Sequence, residues 1–155
     1  MGLLPLHKNP KYKQGYFKPK QETKYVGSLP IVYRSGLELK FMRFCDSNPN
    51  VLKWSSESVI IDYVGLDGKN HKYYVDNYII IKEGDLVKKY LVEIKPYKQT
   101  TAPVVRKQKK STLLYESIEW DKNSRKWAAA WKWAKEHGVE FIIITDKDLM
   151  PFWNT

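Results

Sequence analysis

The heptapeptide YLVEIKP, residues 90–96, is an apolar run that carries two charges near its end. Its apolar and aromatic content predicts a buried β-strand. Side chains two positions apart leave the same face of a strand, so Glu93 and Lys95 share one surface while Val92 and Ile94 point the other way. An edge strand protected by charge against aggregation explains this pattern. A functional site also explains it, provided that other segments supply further carboxylates.

Composition describes a small basic protein with one core. The chain has 155 residues, 43% of them hydrophobic, which fits a single domain. Its single cysteine, Cys45, excludes an internal disulfide and leaves no Cys/His cluster for structural zinc, so we expect a reducing compartment. No apolar run approaches ~20 residues and no leader pattern is found, so we expect a protein that is neither membrane-spanning nor secreted.

The charge balance indicates a polyanionic partner. Lys and Arg total 27 against 17 Asp and Glu, a net charge of +10. Basic side chains bound to phosphates release condensed counterions, so nucleic acid is the leading candidate. The excess of basic residues is concentrated in two segments. The first 24 residues contain six lysines and one acid, Glu22, and the stretch between Ile94 and Ser111 contains no acid.

The first 30 residues, rich in Lys, Pro, Gly and Gln, predict a basic irregular arm ahead of a single domain at 31–155. Four aromatic side chains interleave with the lysines of this arm: Tyr12, Tyr16, Phe17 and Tyr25. They suit stacking on bases, and they equally suit packing of the arm onto its own domain. Both interpretations stay open.

The order of elements predicts an α/β (α+β) fold. A short helix follows Ser35 and ends before the turn at 48–50. Two strands over 58–81 meet at the Asp67-Gly68 hairpin signal, and a third covers 86–96, which makes an antiparallel meander of three. Helices follow over 104–118 and 123–137, the second with core-facing Trp127, Ala130, Trp131 and Ala134. The continuous apolar run VEFIIIT predicts a further short strand at a central position.

Carboxylates can meet at the meander. Asp76 is a lone carboxylate in the second predicted strand, so it must be exposed, paired or bound to a cation. Neighbouring antiparallel strands can bring Asp76 and Glu93 together beside Lys95. Such a pair suits Mg²⁺, which binds one or two carboxylates together with waters and substrate phosphates.

Three other acids have more than one possible role. Glu38 completes a capping box with Ser35, and it also lies on the first helical turn where it can point toward Asp76 and Glu93. Glu57, ahead of the first predicted strand, is expected either at the surface or in contact with the residues of the site. Asp62 in that strand remains an unranked alternative.

Four segments together resemble the PD-(D/E)XK nuclease superfamily: SGLELKFMRF, SESVIIDY, GKNHKYYVDNYIII and YLVEIKP. They are most similar to the branch that TnsA-like transposon nucleases share with the head completion nucleases of T-even-type tailed phages. The similarity covers residues 33–96, with a weaker match in the KW-containing helix and the FIIIT strand. Val75 stands where the superfamily's name has proline.

The resemblance implies a restriction-endonuclease-like core and a set of site residues. Asp76 and Glu93 would bind the metal with the backbone carbonyl of Ile94, and Lys95 would position or activate the attacking water. Glu38 would be the helix carboxylate that acts on the metal or that water. The implied cofactor is Mg²⁺, with Mn²⁺ able to substitute. A basic clamp on the DNA backbone, independent of sequence, would comprise Lys98, Arg106, Lys107, Lys109 and Lys110.

The implied function is a Mg²⁺-dependent deoxyribonuclease that processes packaged DNA during phage head completion, before head-tail joining. It would act in the host cytoplasm, with portal or neck proteins as candidate partners, and it could stay associated with the virion. Two other classes remain as alternatives. One is a non-catalytic DNA-binding or structural head-assembly protein on the same fold, and the other is a basic RNA-binding domain unrelated to nucleases.

Overall fold

A computed structural model describes residues 13–106 and 108–153 of the chain. The helices and strands, in chain order, are β1 Gly15–Phe17, β2 Ile31–Tyr33, α1 Gly36–Ser47, β3 Val51–Ser56, β4 Ile60–Val64, β5 Asn70–Tyr74, β6 Asn77–Glu83, β7 Leu86–Ile94, α2 Lys110–Glu136, β8 Glu140–Ile144 and α3 Asp146–Trp153. Two short 3-10 helices cover Glu22–Lys24 and Tyr97–Thr100. The predicted mixed α/β class is confirmed.

The main sheet has four strands in the order β3-β6-β7-β8. The first three are antiparallel, whereas β8 runs parallel to β7 with Glu93 beside Ile143. The strand β7 is therefore interior, with β6 on one side and β8 on the other. Because interior strands expose no free edge, protection against edge-to-edge aggregation does not explain the charges in YLVEIKP.

One of the three antiparallel strands differs from the prediction, since β7 is the predicted third strand and β6 is the second half of the predicted second strand. The predicted hairpin at Asp67-Gly68 is present, but β4 and β5 pair only with each other, in a separate two-stranded sheet. The strand β3, which the prediction omits, occupies their place in the main sheet. The predicted second strand is broken after Tyr74, since the Val75 N–H donates to the Val59 carbonyl and keeps this segment with the hairpin.

The two helices predicted after Pro96 are one continuous helix, α2. No Gly or Pro lies within Lys110–Glu136, so nothing in the local sequence ends the first half. Ala130 and Ala134 are buried as expected and Trp127 packs beside them, but Trp131 is 61% exposed and not in the core. The strand β8 was expected at a central position and instead ends the sheet among the described strands.

The core lies on both faces of the main sheet. Along β7, Leu91 contributes to the cluster under α2 and the β4–β5 hairpin, while Val92 and Ile94 contribute to the cluster under α1. The alternation places Glu93 on the face of Leu91, toward the hairpin and α2. None of the described helices is long and apolar enough to cross a lipid bilayer.

The described part of the predicted arm, residues 13–30, is more regular than expected. The strand β1 pairs antiparallel with β2, and a 3-10 turn follows β1. The rings of Phe17 and Tyr25 form T-shaped contacts with Trp54 at centroid distances of 5.8 and 4.7 Å, so these two aromatics pack on their own domain. Tyr16 is 64% exposed, and Tyr12 lies outside the described residues.

Candidate active site

The first turn of α1 fixes the position of Glu38. The Ser35 hydroxyl accepts a hydrogen bond from the Glu38 backbone N–H at 3.1 Å, as an N-cap does. The Glu38 carboxylate accepts from the backbone N–H of Arg34 at 2.7 Å, one residue before the partner that a standard capping box predicts. Glu38 is only 9% exposed, although its side chain is ionisable.

Asp76 lies in the break between β5 and β6, and not within a strand as predicted. Its Oδ2 accepts from the Ile94 backbone N–H at 2.7 Å, and its carbonyl accepts from the Glu57 N–H at 3.1 Å. Asn77 pairs with Val92 across β6 and β7, so the preceding Asp76 falls beside Glu93. The end of β7 thus holds the half-buried Asp76 carboxylate in place.

Glu93 and Lys95 lie at the carboxyl end of β7. Glu93 is 6% exposed, and its Oε2 accepts a hydrogen bond from the Tyr73 hydroxyl. The Lys95 ammonium is 3.4 Å from the other Glu93 oxygen, Oε1. The structure therefore brings together all four side chains that the sequence nominates as catalytic: Glu38, Asp76, Glu93 and Lys95.

The acids of this cluster repel one another. Burial raises the pKa of Asp76 well above its ordinary value, and the Glu93 and Glu38 carboxylates raise it further. Burial also raises the pKa of Glu38, although a hydrogen bond from Asp76 opposes that shift. Glu38 and Asp76 are thus suited to share one proton, and a bound cation would relieve the same repulsion.

The cation of Lys95 is held by the same acids. Burial lowers the pKa of the Lys95 ammonium, but Glu93 and then Asp76 outweigh burial, and the net pKa is raised. Lys95 therefore stays charged at neutral pH beside the two carboxylates. A fixed ammonium at this position can stabilise or orient an attacking oxygen.

Arg34 is not among the residues that the sequence nominates, and Glu57 takes the second of its two expected places, in support of the site. The Arg34 guanidinium contacts both carboxylate oxygens of Glu57, at 2.6 and 3.2 Å, and the Glu57 side chain is 7% exposed, so Glu57 is not a surface residue. Glu57 adopts a positive φ of 52°, unusual for a residue with a side chain. The side chain of Glu57 raises the pKa of Arg34, while Glu38 and Asp76 add to that effect. Nothing local in the sequence marks this pair.

Two further residues that the sequence does not nominate reach the site. Tyr73 of β5 is 3% exposed and donates to Glu93. Lys126 of α2 places its ammonium 5.4 Å from the centroid of the Tyr73 ring. Burial and the charge of Lys122 lower the pKa of Lys126, and Glu93 opposes them. Lys126 is thus within the electrostatic reach of the carboxylates.

The remaining nominated residues lie elsewhere. Asp62 pairs with Lys72 at 2.5 Å, and both side chains are exposed on the hairpin. In the basic stretch, Lys98 is exposed in the 3-10 helix after β7, and Arg106 pairs with Glu116 at 2.6 Å. Lys109 and Lys110 are exposed at the start of α2, and Lys107 lies outside the described residues.

The donor set suits a hard cation without forming a complete cage. In residues 13–106 and 108–153, no three His, Cys, Asp or Glu side chains are grouped as a ready-made metal site. Mg²⁺ does not need one, because it is commonly held by one or two carboxylates while waters and substrate phosphates supply the other ligands. The adjacent oxygens of Asp76 and Glu93 fit that chemistry.

Comparison with known proteins places these residues in a family context. A family model described as TnsA-like endonuclease N terminal matches residues 48–146. A head completion nuclease of Enterobacteria phage T4 is 33% identical over 141 residues, which cover 87% of this chain and 92% of that protein. Asp76, Glu93 and Lys95 lie inside the range that matches the family model, whereas Glu38 precedes it. The mixed α/β architecture agrees with the restriction-endonuclease-like fold of such nucleases.

Proposed function

We propose that this chain, which belongs to the family of TnsA-like endonuclease N-terminal domains, is a metal-dependent nuclease that hydrolyses phosphodiester bonds in DNA. The observation that carries the proposal is the convergence of three buried or half-buried acids, Glu38, Asp76 and Glu93, beside the ammonium of Lys95. Burying mutually repelling charges costs stability, and such clusters are concentrated at functional sites.

The cofactor of this proposal is Mg²⁺, with Mn²⁺ able to replace it. Asp76 and Glu93 would hold the ion, together with the Ile94 carbonyl, and Glu38 would act on the ion or on the attacking water. When bound, the ion would supply Lewis-acid polarisation of the phosphodiester and a lower pKa for a bound water.

The protein's own groups have separate tasks. The Ile94 N–H and the Tyr73 hydroxyl fix the directions of Asp76 and Glu93, each through one hydrogen bond. The Lys95 ammonium would orient the attacking water and stabilise negative charge that develops on the phosphate oxygens. Because these groups sit on strands and on a break pinned to β7, their positions are fixed before substrate binds.

The substrate is proposed to be DNA without regard to sequence. The net charge of +10 favours phosphate contact, and the exposed Lys98, Lys109 and Lys110 belong to the proposed clamp together with Arg106 and Lys107. The T4 relative is named a head completion nuclease. By analogy, we propose that this chain trims or cleaves packaged DNA in the host cytoplasm before head-tail joining. Portal or neck proteins are its candidate partners, and the chain would stay associated with the virion.

Cleavage of supercoiled plasmid tests the proposal. We expect nicking with Mg²⁺ or Mn²⁺ and none with EDTA, and we expect Asp76→Ala and Glu93→Ala to lose nicking while they still retard DNA in a gel. Asp62→Ala is the matched control, since Asp62 is an exposed aspartate paired with Lys72 away from the cluster. If the two site variants cut as well as the parent, the assigned site is wrong. If the parent binds DNA but never cuts it, the chain is a non-catalytic binding protein.

A further inference from the structure

A cleft opens between the β4–β5 hairpin and α2, on the same side of the main sheet as Glu93. Its volume is about 510 Å³, and it is lined from the hairpin by Tyr63, His71 and Lys72 and from α2 by Ile118, Lys122 and Lys126. A cavity of this size has the dimensions of a small-ligand site. It can take one or two nucleotides of a single strand but not a segment of duplex.

The inner end of this cleft connects to the proposed active site through two side chains. Lys126 lines the cleft, and its ammonium lies 5.4 Å from the centroid of the Tyr73 ring. The Tyr73 hydroxyl in turn donates to the Glu93 carboxylate. A phosphate that contacts Lys126 would therefore be separated from the Glu93 carboxylate by the Tyr73 ring.

The charge of the cleft favours a polyanion. Two acids line it, but Asp67 is paired with the His71 ring at 2.9 Å and Asp121 is paired with Arg125 at 2.8 Å. In contrast, none of the ion pairs within 4.0 Å among the residues that the structure describes involves Lys122 or Lys126. Two ammonium groups spaced by one helical turn are thus available to the phosphates of one strand.

The hairpin wall of the cleft presents an aromatic surface. The His71 ring stacks on Tyr63 with centroids 5.4 Å apart and an angle of 27° between the planes. The Nε2 atom of His71 is hydrogen-bonded to the Asp67 carboxylate, and the His71 side chain remains 41% exposed. Gly65 lets the ring lie close, since a Cβ at Gly65 would come within 2.7 Å of the imidazole. A partly exposed aromatic ring beside ammonium groups is suited to bind unpaired nucleotides.

We propose that this cleft receives an unpaired DNA strand next to the bond that is cut, with Lys122 and Lys126 on its phosphates and the His71 ring against a base. The inference rests on the proposed nuclease function and specifies its substrate class. That class is DNA with an unpaired arm, such as a fork, flap or overhang, in preference to a fully paired duplex.

Binding in EDTA tests the inference without any need for cleavage. Fluorescence anisotropy compares a blunt duplex with the same duplex carrying a short unpaired arm, for the parent chain and for His71→Ala, His71→Phe, Lys122→Ala and Lys132→Ala. Stacking of one base is worth about 1 kcal/mol or more, so we expect the parent to bind the forked DNA at least about fivefold tighter. His71→Ala and Lys122→Ala should lose most of that preference. His71→Phe, which keeps an aromatic face, should retain it, as should Lys132→Ala, which removes an exposed lysine of α2 outside the cleft.

Equal affinity of the parent for the two DNAs would overturn the inference, and so would variants that weaken blunt and forked binding by the same factor. The plasmid assay separates this failure from failure of the nuclease assignment. A protein that cuts with Mg²⁺ but shows no preference for unpaired DNA refutes the cleft alone. A protein that prefers forked DNA but never cuts refutes the proposed chemistry and retains the cleft as a binding site.

Discussion

Removing the Tyr73 hydroxyl tests whether Glu93 is held in place as a charged group. Tyr73 is 3% exposed and Glu93 is 6% exposed, so water cannot easily replace the hydrogen bond between them. Tyr73→Phe keeps the ring in its apolar cluster but leaves one carboxylate oxygen without its donor. The loss of a buried hydrogen bond to a charged group costs about 1.5–3 kcal/mol of unfolding free energy. For a chain of this length each kcal/mol lowers the melting temperature by roughly 2–4 °C, which gives a decrease of about 3–12 °C.

A double-mutant cycle isolates the charge. In a Glu93→Gln background the amide oxygen still accepts from Tyr73, but a neutral bond contributes only about 0.5–1.5 kcal/mol. Urea denaturation of the four proteins in metal-free buffer should therefore show a coupling of about 1 kcal/mol between the two positions. Tyr63→Phe is the control. Tyr63 packs in the same cluster, and its hydroxyl has no hydrogen-bond partner among the described residues. Its cost should stay under about 0.5 kcal/mol.

The reasoning is refuted if Tyr73→Phe costs the same in both backgrounds, since the hydroxyl would then not be bonded to a charged Glu93. A cost no larger than that of the Tyr63→Phe control would refute it as well. In the nuclease assay, Tyr73→Phe should lower the rate of nicking more than it weakens DNA binding, because it loosens a proposed metal ligand and touches no phosphate.

Three further changes probe the acids and the basic clamp. Because burial, Glu93 and Glu38 raise the pKa of Asp76, its protonated form stabilises the folded state and that stability is lost as pH rises through the raised pKa. Without metal, the Asp76→Asn variant should therefore have a higher melting temperature than the parent at about pH 8, and this advantage should disappear near the ordinary Asp pKa of about 4. Thermal scans that show a lower melting temperature for the variant at pH 8 would contradict this. The Glu38→Gln side chain can keep the hydrogen bond from the Arg34 N–H while it loses the charge. We therefore expect a folded protein that nicks plasmid at least about tenfold more slowly, which corresponds to an increase of about 1.4 kcal/mol in the activation barrier. Full activity would leave Glu38 only its capping role. Lys109→Ala should reduce the slope of log affinity against log salt by about 0.9, and an unchanged slope would remove Lys109 from the clamp.

The parts of the site that local pattern can specify were predictable. Spacing by two along an apolar strand places Glu93 and Lys95 on one face, and in the structure Lys95 directly follows β7 with its ammonium 3.4 Å from Glu93. Ser35 caps α1 as its position predicts, and Asp67-Gly68 forms the hairpin, with Gly68 at a φ of 76°. Each of these features depends on residues that are neighbours in the sequence.

The parts set by tertiary contacts were not predictable. No Gly or Pro separates β5 from β6, and the break at Asp76 is fixed by distant partners, the Val59 carbonyl and the Ile94 N–H. The strand β3 has no clear alternation, and it is defined by its register against β6. Lys126 lies in a helix among several lysines, so nothing in its sequence context marks the one that faces Tyr73.

The location of a bound divalent ion tests the central claim most directly. Crystals grown with Mn²⁺ would show the ion by its anomalous scattering. We expect a peak between the carboxylates of Asp76 and Glu93, within reach of the Ile94 carbonyl, and we expect Asp76→Asn crystals grown in the same way to lack it. A peak bound only at other residues, or none at a Mn²⁺ concentration that supports cleavage, would contradict the proposed active site.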